Sequence, residues 1–243
     1  MPDYQGGNRL LDALPSSERD ALLRDARIEH LVRRQPLLAP GSLPGDVSFP
    51  ISALVSIVVV FENGETNEVG VVGREGFVPV EHALGVQAVQ RTAFCQVAGE
   101  TVHVGVAAFR AAIEQRGELF GLVQRSIGAR LFAAEQLVGC NITHSLRERC
   151  ARWLLMTRDR VGENEFPLTH DFLAMMLGVR RASVTEIAGE LQEEGAIKYQ
   201  RGLVTITDEA KLAQRACECY AAITTEFERV LTEGRRNTNH GRS

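Results

Sequence analysis

The chain has 243 residues, is 44% hydrophobic and 24% charged, and carries a formal net charge of −4. It is long enough for two ordinary domains, and its composition excludes wholesale disorder, a fibrous repeat and a surface coated in basic charge. No apolar run reaches the length of a membrane span, and the opening MPDYQGGNRL lacks the apolar core of a secretory signal, so a cytoplasmic protein with no membrane partner is expected.

The elements run as follows in chain order. Residues 10–28 read as a short helical entry, with Leu10, Leu11, Leu14, Leu22 and Leu23 apolar and Ser16 or Ser17 placed to cap a further turn. A β-rich stretch follows, with strands predicted at 47–51, 55–61, 68–72, 91–97 and 101–106, a hairpin turn at 62–65 (GluAsnGlyGlu) and a second turn at 98–100. Several short strands at this spacing predict an antiparallel β-roll, jelly-roll-like, and not a parallel sheet. From Phe109 the period becomes helical: one short helix holds Phe109, Ala112 and Ile113, and a longer one carries Leu119, Val123, Ile127, Ala134, Leu137 and Val138 to about Cys140. Such an apolar stripe between two domains invites a partner helix and predicts a homodimer. Residues 141–145 read as a hinge, and 146–156 as the first helix of a second domain facing its core with Leu146, Cys150, Trp153, Leu154 and Leu155.

Residues 169–194 have the pattern of a helix-turn-helix. Thr169 is suited to cap a helix carrying Phe172, Leu173, Met176 and Leu177; Gly178 ends it; Val179, Val184, Ile187 and Leu191 then form one stripe, leaving Arg180, Arg181, Ser183, Thr185 and Glu186 outward. Residues 198–206 read as two short strands joined at Arg201 and Gly202, a wing that brings Lys198 and Arg201 to phosphate. Because Arg147, Arg149, Arg152, Arg180 and Arg181 mix with Glu190, Glu193 and Glu194, affinity for double-stranded DNA has to come from local charge placement, with cations at the start of the second helix and carboxylates at its end. The expected DNA-binding set is Thr169, Arg180, Arg181, Ser183, Thr185, Glu186, Lys198 and Arg201. Arg181 is assigned to a base edge and Arg180, nearer the turn, to phosphate. Residues 208–231 read as an added helix with no assigned role, and the tail after Gly234 as disordered. The expected division is thus 1–116 sensor, 117–143 dimer helix and hinge, 144–209 winged helix-turn-helix, and 210–243 extension and tail, an α+β chain.

A β-roll, a long helix and a winged helix-turn-helix in this order resemble the CRP/FNR superfamily of bacterial transcription regulators, over roughly residues 10–208 and most specifically over 168–206. The resemblance implies a homodimer on an inverted repeat, a β-roll that senses a signal by shifting the packing of residues 119–138 across the dimer, and RNA polymerase as a further partner. In the cyclic-nucleotide members a glycine-glutamate pair leads to an arginine followed by serine or threonine. Here the matching positions are Glu75, Arg91 and Thr92, but Arg74 interrupts the pair and residues 82–90 lengthen the loop, so cyclic-nucleotide sensing is not the expectation. The family's iron–sulfur members have clustered N-terminal cysteines, and this chain has no cysteine before Cys95, which does not support an iron–sulfur cluster. The best-known members present arginine and glutamate early in the recognition helix; Arg180, Arg181, Ala182 and Ser183 here imply a different operator.

Two other readings stay open on sequence: a cupin-like metalloenzyme, and a cyclic-nucleotide sensor acting through protein contacts. Against the first, His82 and His103 stand alone without the paired histidines such a metal centre uses, and no catalytic motif is present. The five cysteines (Cys95, Cys140, Cys150, Cys217, Cys219) are odd in number and scattered, as reduced thiols are. Cys217 and Cys219 make half of a metal or redox site, but without a second pair no metal is expected there.

Overall fold

The computed structural model describes residues 4–237. Two helical turns, α1 (Arg9–Asp12) and α2 (Ser16–Leu22), lead into β1 (Arg27–Leu31), β2 (Pro36–Leu38), β3 (Asp46–Pro50), β4 (Leu54–Val60), β5 (Thr66–Val72), β6 (Thr92–Val97) and β7 (Gly99–Gly105). Helices α3 (Val106–Glu114), α4 (Glu118–Thr143) and α5 (Leu146–Val161) follow. Then come β8 (Glu165–Pro167), α6 (His170–Leu177), α7 (Arg181–Glu193), β9 (Ile197–Gln200), β10 (Leu203–Ile206), α8 (Glu209–Arg215) and α9 (Cys219–Asn237). All strand pairs are antiparallel, in sheets of order β1-β7-β3, β2-β6-β4-β5 and β8-β10-β9.

Leu38, Val55, Ile57, Val72, Val78 and Ala93 fill one β-roll cluster, while Phe49, Phe77 and Phe109 meet at centroid distances of 5.7 to 6.2 Å in a second with Leu10, Leu11, Leu119 and Leu122. Leu119 and Val123 lie in that second cluster, Ile127 packs against it, and Leu137 packs against α9, so these members of the expected dimer stripe serve the chain's own core. The face of α4 left outward instead carries Leu131, Val138 and Ile142, 61%, 63% and 82% exposed. The start of α4 is capped from a distance: both Glu18 carboxylate oxygens accept, from the N–H groups of Glu118 (3.1 Å) and Leu119 (3.0 Å).

Several expectations are corrected. Ile28 lies in β1, not in a helix, and α2 starts after Pro15 with no side-chain cap. The turn expected at 98–100 is a corner between two sheets, β6 lying in one and β7, which already includes Gly99 and Glu100, in the other. Helix α4 runs through Thr143, so the interruption shrinks to His144 and Ser145, where Ser145 and Glu148 form a reciprocal capping box that starts α5. Residues 235–237 continue α9; the rest of the expected disordered tail, 238–243, lies outside the described residues.

The helix-turn-helix unit docks on the β-roll. Side chains alternate along a strand, so while Val55 and Ile57 enter the roll, Ser56 and Val58 meet the C-terminal unit, Val58 in one core with Trp153, Leu154, Phe172 and Leu173. Phe94 of β6 meets Phe172 edge-on at 6.3 Å, and the Trp153 indole N–H donates to Glu68 Oε1 at 2.8 Å. The other Glu68 oxygen is 2.9 Å from Ser56 Oγ, which is also 2.7 Å from Gln96 Oε1. One hydroxyl proton cannot serve two acceptors, so the chain is complete when Glu68 is protonated and donates to Ser56. Consistently, burial pushes the Glu68 carboxyl up to about 7, outweighing its hydrogen bonds with Trp153 and Ser56 and the charges of Arg160 and Arg152, which favour the ionised form.

A carboxyl raised in the folded state binds protons that the unfolded chain has already released. Its contribution is therefore full below the ordinary carboxylate range and is lost as pH rises through about 7. Between pH 4.5 and 8 the unfolding free energy should fall by roughly 1–3 kcal/mol relative to Glu68→Gln, which keeps the neutral form. Denaturant titrations at several pH values test this; parallel profiles for the two proteins would contradict it.

Candidate nucleic-acid interface

Thr169 Oγ1 accepts from the Phe172 N–H at 3.2 Å and so begins α6, and Gly178 ends it at φ 66°, a left-handed conformation costly for any residue with a Cβ. Helix α7 buries Val184, Ala188 and Leu191 and leaves Arg181, Ala182, Thr185 and Glu186 exposed, with Ser183 and Ile187 half-buried. No side chain caps its start at Arg180, so that positive helix end is open to an anion. Gln200 pairs with Leu203, leaving Arg201 and Gly202 as a two-residue hairpin turn with φ of 52° and 78°. Both central residues at positive φ is the turn type whose twist matches its strands. An arginine at the first of them is a costly choice that projects a cation from the wing tip.

The charges sort as the helix-turn-helix requires, though by contacts that sequence did not reveal. At the acidic end of α7, Glu194 is held by Arg147 and by Arg215 (2.8 Å), and Glu190 lies 3.6 Å from Arg147. Arg149 donates to the Leu177 carbonyl at 2.7 Å, closing the end of α6, and Arg152 is buried. Three of the five arginines expected to contribute to local charge are thus structural. Arg180, Lys198 and Arg201 are exposed and have no ion pair among the described residues; Arg181 is 3.5 Å from Asp171, with both side chains about two-thirds exposed, a pairing that costs little to break.

Two expected contacts have other duties. The Thr169 hydroxyl is a cap, and that of Thr185 donates to the Arg181 carbonyl at 3.1 Å, leaving its oxygen to accept from His170 Nδ1 at 2.9 Å. His170 also lies 4.3 Å from the Tyr199 ring, and burial, followed by Arg181, lowers its pKa, which favours the neutral imidazole. Tyr199 donates to the Leu168 carbonyl, tying the wing to the entry of α6. Arg33, from the loop after β1, sits 5.7 Å over the Phe172 ring beside this surface. It escaped the sequence reading because nothing local marks it.

Residues 148–215 match the family model of the Crp-like helix-turn-helix domain. This segment is a Crp-like helix-turn-helix domain. The chain is 22% identical over 200 residues to the global nitrogen regulator of Synechococcus elongatus, covering 78% of this chain and 89% of that protein. Its fold matches the FixK2 protein of Bradyrhizobium japonicum with a TM-score of 0.68 at 12% identity, covering 79% of this chain and 98% of that one. A CRP-family transcriptional regulator of Thermus thermophilus matches with a TM-score of 0.62 at 21% identity, covering 77% and 96%.

In this chain the positions that resemble the cyclic-nucleotide cassette are turned to internal contacts. Glu75 accepts from Arg160 Nε at 2.8 Å and from the Gly73 N–H, both carboxylate and guanidinium being 8% exposed. A Cβ on Gly73 would lie 2.5 Å from that of Arg160, so the glycine is there to let α5 approach the roll. Arg91 pairs with Glu81 at 2.7 Å, and Thr92 pairs with Val58 across the sheet. Arg130 of α4, unmarked in sequence, donates to the Phe77 carbonyl at 3.0 Å; burial, with Arg91 next, lowers it to about 10, which leaves it cationic at neutral pH. The histidines expected to stand alone have local partners: His82 Nε2 lies 2.9 Å from the Pro44 carbonyl and His103 Nδ1 3.0 Å from Ser48 Oγ. The metalloenzyme alternative has no support.

Proposed function

We propose that this protein is a homodimeric CRP/FNR transcription regulator, not an enzyme, that reads an inverted-repeat operator through α7 and clamps phosphate with the wing. The observation that carries the reading is the separation of faces on α7: Val184, Ala188 and Leu191 are buried, while Arg181 and Glu186 stand exposed beside an uncapped helix start. Arg181 and Ser183 read base edges; Arg180, Lys198 and Arg201 meet phosphate. Thr169 and Thr185 hold the frame, and RNA polymerase is met once the dimer is seated.

The second copy docks on the outward face of α4, where Gly128, Leu131, Glu135, Val138 and Ile142 recur in alternating steps of three and four, the spacing of a two-helix seam. A signal in the β-roll reaches α7 through contacts that cross between the two units, Glu75 to Arg160 and Glu68 to Trp153, and acts by favouring one packing over another. A cyclic nucleotide and an iron–sulfur cluster are not the signals this reading favours.

Sedimentation at micromolar concentration tests the dimer: a two-chain species is expected for the native protein and a single chain for Leu131→Asp/Ile142→Asp, with operator affinity reduced about 100-fold or more as two half-sites stop acting together. A native chain that sediments as a monomer with and without DNA would overturn the dimer.

A further inference from the structure

Cys217 and Cys219 do find a second pair. Cys140 and His144 lie four residues apart at the end of α4, and the chain brings Cys217 and Cys219, before and at the start of α9, against them. One ligand atom from each of the four lies within 4.8 Å of every other. The Cys140 and Cys217 sulfurs are 3.5 Å apart, and Cys219 Sγ is 3.7 Å from His144 Nδ1. Metal–sulfur bonds of about 2.3 Å and metal–nitrogen bonds of about 2.0 Å make tetrahedral edges of roughly 3.5–3.8 Å, so the two closest contacts already have the dimensions of a site.

The surroundings are those of a ligand set and not of apolar filling. The Glu218 carboxylate lies 3.1 Å from His144 Nε2, which places the proton on Nε2 and leaves the Nδ1 lone pair facing the sulfurs, the outer contact that orients metal-bound histidines. The Gln136 amide donates to Cys219 Sγ at 3.2 Å. Arg152 is 4% exposed with no carboxylate in ion-pair range among the described residues, and its charge acts on Cys217. Three thiolates and a divalent ion sum to one negative charge, which would compensate it.

We propose that Cys140, His144, Cys217 and Cys219 hold one tetrahedrally bound divalent ion of the zinc class, pinning the end of α4 to the start of α9. Binding converts three thiols to thiolates and releases three protons, so affinity rises with pH. The compact span suits one metal atom, since a two-iron cluster needs its ligand pairs further apart. The site would give the C-terminal helix a role: it fixes the end of the helix that carries the dimer seam.

The full chain, purified with a phosphine reductant and stripped of metal, should bind one Zn²⁺ in competition with a chromophoric chelator. With Co²⁺ it should show the visible bands of a tetrahedral ion and a thiolate charge-transfer band. Cys219→Ser and His144→Ala should lose the one-to-one site, and Glu218→Gln, altered at an exposed side chain, should bind about 10- to 100-fold more weakly. If the cysteine variants fail to fold, Glu218→Gln decides, and unchanged affinity there overturns the proposal. So would a reduced native chain that takes up neither ion, folded cysteine variants with native affinity, or an iron–sulfur absorption in the protein as isolated.

Discussion

Arg181→Ala should weaken binding by about 5- to 150-fold per half-site, the equivalent of losing one bidentate contact to a guanine edge, roughly 1–3 kcal/mol, and by about the square of that factor for the dimer on its full operator. The same change should flatten base preference at one position of each half-site. Arg181 can make that contact because it stands in the first turn of α7, exposed, and the one carboxylate in ion-pair range among the described residues, Asp171, is 3.5 Å away on an equally exposed side chain. Lys198→Ala should behave differently, weakening all sequences alike and lowering the salt dependence by about one counterion per half-site. Fluorescence anisotropy on matched and single-base-changed duplexes separates the two. If Arg181→Ala weakened every duplex equally, Arg181 would be a phosphate contact and the base-reading role would fall to another residue.

Glu75→Ala should destabilise the protein by about 3–5 kcal/mol, because it leaves the Arg160 guanidinium buried without its counter-charge. Arg160 has other contacts, to the Met156 carbonyl at 3.0 Å and over the Phe227 ring at 5.5 Å, but neither carries negative charge. The paired change Glu75→Leu/Arg160→Met should recover most of the loss, since apolar groups of similar volume need no pairing. Urea unfolding of the two single variants and the double gives the coupling directly. A Glu75→Ala variant within about 0.5 kcal/mol of the native protein would mean that the ion pair contributes nothing to joining the units.

What could be read from sequence and what could not divide along sequence distance. The α6–α7 unit was legible because its signals are local: a capping threonine at 169, a turn glycine at 178 and an apolar stripe through Val184 and Leu191. The β4–β5 hairpin was legible from GluAsnGlyGlu between β-branched runs. Strand β1 was not, because ArgIleGluHisLeu is an edge strand with three exposed positions and follows directly on a leucine-rich helical stretch. The face of α4 was assigned the wrong way round over its first half, since an apolar stripe looks the same whether it meets its own β-roll or another chain. Glu75 read as an effector contact because its partner, Arg160, is 85 residues away. The pairing of Cys140 with Cys217 spans 77 residues, and only the packing of α9 along α4 brings them together.

The most direct measurement is selection of binding sites from random duplex DNA by the purified full chain, run alone and with small-molecule pools, for the native protein and Arg181→Ala. The expected result is an inverted repeat whose half-site centres lie about 34–36 Å apart, one turn of DNA or a multiple of it, as two-fold helix-turn-helix dimers require. Its base preference should relax in the variant at the position Arg181 reads. Absence of any enriched sequence under every condition, or an unpaired site unaffected by Arg181→Ala, would contradict a dimeric regulator that reads DNA through α7.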